Sequence, residues 1–135
     1  MKKIISVVLV ICLLMICGGC SVKKTNTEKI RDVEITVLEE ENIPEELKTT
    51  IEEKKSEPFK VTYSDKEYLY IAQGYGKRNT SGYSIEVKEC YETKNAIYIH
   101  TNLIGPSKEE KIAEAETFPY VAVKMEFNDK NVVFE

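Results

Sequence analysis

Tryptophan is missing from the 135 residues, histidine occurs once, and no long basic run interrupts a chain whose formal net charge is −4. Each shortage closes off a class of function. Zinc takes three or four protein ligands, and His100 has no second histidine and no downstream C-x-x-C to complete a set, so no metal is expected. An acidic chain without a basic patch does not neutralise phosphates, which excludes nucleic acid and electrostatic docking on anionic lipid. The one Gly-rich stretch lies between two strand-like segments and lacks G-K-S/T. A phosphate loop uses the N-terminus of a following helix, so no nucleotide and no other cofactor is expected.

Long apolar runs are equally scarce. The only one, Ile4 to Cys17, follows Lys2 and Lys3 and ends in Gly18-Gly19-Cys20. Those three parts make a secretory signal, and the run is short of the roughly 20 residues of a membrane-spanning helix. Cleavage is expected after residue 19. A cut before a cysteine resembles processing at a lipobox, which implies lipidation of Cys20, although Cys17 stands where that pattern usually has leucine. The expected location is the cell membrane, lipid-anchored, with the rest of the chain extracytoplasmic. Cys12 and Cys17 would leave with the signal, and Cys90 would remain as the one free thiol, so no intramolecular disulfide is expected.

Residues 20–29 are too polar to pack and read as a tether. Residues 30–135 have the length of one modest core. Val33, Ile35 and Val37 alternate with polar residues as a half-buried strand does. Asn42-Ile43-Pro44-Glu45 reads as a capped helix start, and Ile43, Leu47 and Ile51 then recur on one face. From Phe59 the pattern is β: 59–63, a turn at Ser64-Asp65-Lys66, an apolar run over 67–73, a hairpin of 83–88 with 96–103, a charged connection from Lys108 to Glu116 with room for a helical turn, and strands at 121–127 and 132–134. The fold class is α+β, an antiparallel sheet domain with one covering N-terminal helix.

No catalytic set emerges. A regular hairpin would put His100, Tyr98, Lys88 and Cys90 on one face, but a Cys/His pair without an orienting group or oxyanion site does not make a nucleophile. The chain is read as a non-enzyme. Its most informative stretch is Gly74-Tyr75-Gly76-Lys77-Arg78-Asn79-Thr80-Ser81-Gly82-Tyr83, where three glycines permit unusual backbone angles and exposed Tyr and Arg suit protein contacts.

That stretch carries a resemblance. The turn after an apolar strand (Ile71-Ala72-Gln73-Gly74-Tyr75-Gly76), then Thr80-Ser81-Gly82-Tyr83-Ser84-Ile85-Glu86-Val87, a hairpin partner ending at Gly105-Pro106, and Thr117-Phe118-Pro119-Tyr120-Val121-Ala122-Val123-Lys124 together resemble the C-terminal domain of the PrcB family. Those proteins are lipoproteins and secreted proteins named for a subunit of a cell-surface protease complex. The likeness covers about 59–124. Ser81 stands where family members often have a further glycine. The resemblance implies a non-catalytic module that associates with or stabilises a secreted or surface protease. The expected contact residues are Gly74, Tyr75, Gly76, Arg78, Asn79, Thr80, Gly82, Tyr83, Phe118, Pro119 and Tyr120. Asn79-Thr80-Ser81-Gly82-Tyr83 also looks like the loop with which chagasin-type inhibitors enter cysteine-protease clefts, but the proline of that loop is replaced and no tryptophan exists for a third inhibitory loop. Direct inhibition by residues 79–83 is the alternative expectation.

Overall fold

The computed structural model describes residues 28–135. The expected signal peptide, the expected lipidation site Cys20 and nearly all of the expected tether lie outside the described residues. Eight strands and one α-helix follow: β1 (Lys29–Asp32), β2 (Thr36–Val37), a 3-10 turn (Glu40–Asn42), α1 (Glu45–Lys54), β3 (Pro58–Ser64), β4 (Tyr68–Tyr75), β5 (Ser84–Thr93), β6 (Ala96–Ile104), β7 (Tyr120–Glu126) and β8 (Asn131–Phe134). The α+β class holds, with two four-stranded sheets in place of the single sheet expected. Their orders are β1-β5-β6-β8 and β2-β7-β4-β3. All strand pairs are antiparallel except β6 with β8.

Two apolar clusters explain the layering. Leu69, Ile71, Val121, Val123 and Met125 of one sheet meet Cys90, Ile97 and Ile99 of the other. On the opposite face of β4 and β7, Tyr70, Ala72 and Ala122 pack with Ile43, Leu47 and Ile51 of the helical segment. Successive side chains on a strand point to opposite faces, so β4, buried on both, must be apolar at consecutive positions. That is the origin of the 67–73 run. Leu47 and Ile51 are almost fully buried, and truncating either to alanine costs about 2–5 kcal/mol.

Several local expectations change in the structure. Of the strand expected over 33–37 only Thr36–Val37 forms, as β2 beside β7, while β1 precedes the expected range and pairs with β5 in the other sheet. Val33 and Ile35 bridge the two and lie half-buried against the inter-sheet core, while Val37 is exposed. Asn42 closes the 3-10 turn, its N–H donating to the Glu39 carbonyl, and Pro44 takes the N-cap position of α1 without a side-chain cap. The Lys108 to Glu116 connection holds one turn, Glu110 N–H to the Ser107 carbonyl at 3.2 Å, and no helix. Phe127 falls outside β7 and is exposed.

The two hairpin turns form where the side chains dictate. Asp65 Oδ1 accepts from the N–H groups of Glu67 and Tyr68, at 2.8 and 2.7 Å. Thr93 Oγ1 accepts from Asn95 and Ala96, at 3.3 and 3.1 Å. Such local bonds supply a tight turn with partners that the ladder does not. Both turns lie at one end of the sandwich. Lys29 pairs with Thr93, so the described chain starts at that same turn end. Ser84 pairs with Ile104 at the other end, and β5, ten residues long, separates the two ends by about 30 Å.

Candidate functional site

The far end of the sandwich is built by two irregular segments, 76–83 and 105–119. Gly74 starts it because Phe59, its partner across β3 and β4, lays its ring where a side chain would stand. Gly76 and Gly82 have φ of +80° and +93°, a region L-residues avoid. Gly82 is also hemmed in. A Cβ there would lie 2.6 Å from Glu110 Oε2 and 2.7 Å from Pro106 Cβ. The glycines therefore let the inner segment run close beneath the outer one.

Hydrogen bonds fasten the layers at three levels. Arg78 and Thr117 exchange both backbone bonds, at 2.8 and 2.9 Å, and Thr117 Oγ1 donates to the Thr80 carbonyl at 2.7 Å. Ser81 N–H donates to the Ala113 carbonyl at 3.0 Å, and Ala113 N–H returns a bond to Ser81 Oγ at 2.8 Å. Tyr75 N–H reaches the Pro119 carbonyl at 3.1 Å. The Arg78 guanidinium sits 5.6 Å from the centre of the Tyr83 ring and donates from Nη2 to the Tyr75 carbonyl at 3.3 Å. Its Nε is buried without a hydrogen-bond partner, a cost that the ring face beneath the cation offsets in part.

The expected contact residues thus come together, but in unequal roles. Gly74 and Gly76 are buried; Arg78, Thr80, Gly82 and Tyr83 are half-buried, and only Asn79 of that stretch's expected contacts is exposed. The Tyr75 hydroxyl turns inward to Thr101 Oγ1 at 2.6 Å. Phe118 and Pro119 are half-buried, with Lys55 Nζ 5.1 Å from the Phe118 ring centre, and Tyr120 packs beside the helix cluster. Sequence reasoning missed Ile104 and Ile112, 43% and 46% exposed: Ile104 ends β6 opposite Ser84, and Ile112 lies on the outer layer beside Gly82. Ile112 sits in a segment whose glutamates and lysines masked it.

Cys90 and His100 do not share a face. The ladder slips between Val87 and Glu89, so one extra residue reverses the alternation beyond it. Cys90 then pairs with Ile99 in the core and Glu89 with His100. Burial pushes the Cys90 thiol up to about 11, which keeps it protonated at neutral pH. Among the described residues, no group of three or more His, Cys, Asp or Glu side chains is placed to hold a metal.

At the opposite end Glu92 is a buried anchor. Lys130 Nζ and Arg31 Nε lie 2.6 Å from its two oxygens, and Asn128 Nδ2 donates at 3.1 Å. The Lys130 bond first, then those from Asn128 and Arg31, hold its carboxyl down to about 2. These ties draw the 128–130 turn across to β5, which is why β8 joins the other sheet beside β6 rather than folding back on β7.

Residues 69–126 match the family model described as PrcB C-terminal. The match runs from β4 through β7, takes in both layers of the loop end, and leaves out β1, β2, α1, β3 and β8. It starts later than the likeness drawn from the sequence, which included β3. No curated protein and no solved structure matches the chain.

Proposed function

With residues 69–126 PrcB-like, we propose that the protein is a lipid-anchored extracytoplasmic lipoprotein that binds a secreted or surface protease through its loop end and stabilises it without catalysing a reaction itself. One observation carries the reading. The double-layered loop surface lies at the end of the sandwich opposite Lys29, where the chain from Cys20 would arrive. A tether entering there points the loops away from the membrane by about the length of β5, roughly 30 Å. A surface whose backbone is already fixed loses little entropy on binding, which favours affinity over adaptability. Insertion of residues 79–83 into a protease cleft is less well supported, because Ser81 and Gly82 lie beneath 105–116 and would have to be freed first.

The test uses the full chain, recovered from the membranes of the producing cell. Its mature N-terminus, read by mass spectrometry, should begin at a diacylglycerol-modified Cys20. Affinity purification should bring a protease with it, and that protease should lose activity faster when the chain is removed. An unmodified N-terminus defeats the anchor, absence of a protease defeats the partner, and a rise in protease activity on removal would make the protein an inhibitor.

A further inference from the structure

Of six large apolar side chains exposed among the described residues, two border the stretch from Gly82 to Ser84: Ile104 is the ladder partner of Ser84, and Ile112 lies 3.3 Å from where a Cβ of Gly82 would stand. Neither fills a gap in the core. The outer segment that carries Ile112 is exposed at every position from Lys108 to Glu116, yet its backbone is fixed at Ala113 and at Thr117. An exposed segment held still, with apolar side chains turned to solvent, has the features of a contact element. The residues beneath it have those of a buttress. Around Ile112 the segment carries Glu109, Glu110, Glu114 and Glu116 against Lys108 and Lys111, and Lys77 pairs with Glu116 at 3.4 Å.

We propose that the partner is contacted by the outer layer and the adjoining end of β6, with Ile112 and Ile104 as the apolar anchors, and that residues 74–83 serve to hold that layer in place. The complementary surface is an apolar pocket that accepts two branched aliphatic side chains and is rimmed by lysine or arginine. Apolar anchors ringed by charge concentrate binding energy at the centre, and the unlike charges around them speed encounter. This assignment rests on the protease-binding reading above and names the part of the same surface that makes the contact.

The probe is the protease that copurifies with the full chain, purified and titrated against the native chain and its variants. Ile104→Ala and Ile112→Ala together should weaken the dissociation constant at least tenfold, and raising salt should slow association. Val37→Ala and Val133→Ala, which trim exposed apolar residues elsewhere, should stay within twofold. Unchanged thermal melting shows that the isoleucine variants still fold. If the double variant binds as the native chain does, or the valine controls lose as much, the assignment to Ile104 and Ile112 is overturned while the protease-binding reading stands. If no protease copurifies, both fall.

Discussion

The hydroxyl of Tyr75 meets Thr101 Oγ1 at 2.6 Å, joining the end of β4 in one sheet to β6 in the other. Thr101 in turn donates to Gln73 Oε1 at 2.7 Å, so the Tyr75 hydroxyl is the donor of the pair. A residue that reads in the sequence as a recognition tyrosine is therefore a bolt between sheets. Tyr75→Phe should lower unfolding stability by about 1–2 kcal/mol, since it leaves a buried threonine short of a partner. Urea unfolding measures the loss. Partner affinity should change less than twofold.

Gly82→Ala combines a strained φ with a collision against Glu110 and Pro106. It should cost about 1–3 kcal/mol. The damage should be local: hydrogen exchange at 108–117 should quicken while β4 and β7 stay protected. Equal protection of both regions in the variant would mean that the layers do not depend on this glycine.

Glu92 gives the chain an acid-sensitive anchor. Its carboxyl has an ordinary value near 4.5 and is held at about 2 in the fold, so its contribution is complete above the ordinary value and is lost as pH falls towards 2. Melting temperatures of the native chain and Glu92→Gln should differ most at pH 7 and converge near pH 2. A constant gap over that range would contradict the role of the charge.

Cys90 provides a check on the inter-sheet core. Because burial lifts its pKa to about 11, a thiol reagent at pH 8 should label it at least tenfold more slowly in the folded chain than in urea. Replacing Val33 or Ile35 with glycine, which thins the bridge packed against the same cluster, should narrow that difference.

How much of this was legible in the sequence depends on which interactions decide each element. Period-2 and period-4 apolar spacing located most of the strands and α1, because burial on one or two faces fixes those patterns directly. It could not say that Val33 to Val37 crosses from one sheet to the other, since the bridging residues alternate just as a strand does. Nor could it place Cys90, whose face depends on one bulge near Lys88 that leaves no mark in composition. In the sequence the glycines suggest freedom for a displayed loop, whereas Gly74 and Gly82 serve close packing against Phe59 and Pro106. Ile112 was hidden for the converse reason: its exposure comes from the hydrogen bonds that fix Ala113 and Thr117, which involve residues more than thirty positions away.

Whether the loop end and not the turn end receives the partner is decided by blocking one end at a time. Asn79→Cys and Asp129→Cys place a reactive thiol at exposed positions on the loop end and the turn end, and the buried Cys90 does not compete for the reagent. A bulky maleimide polymer attached at 79 should abolish recovery of the protease by the full chain, and the same polymer at 129 should leave it intact. Recovery that survives the block at 79, or that fails only with the block at 129, would contradict binding at the loop end.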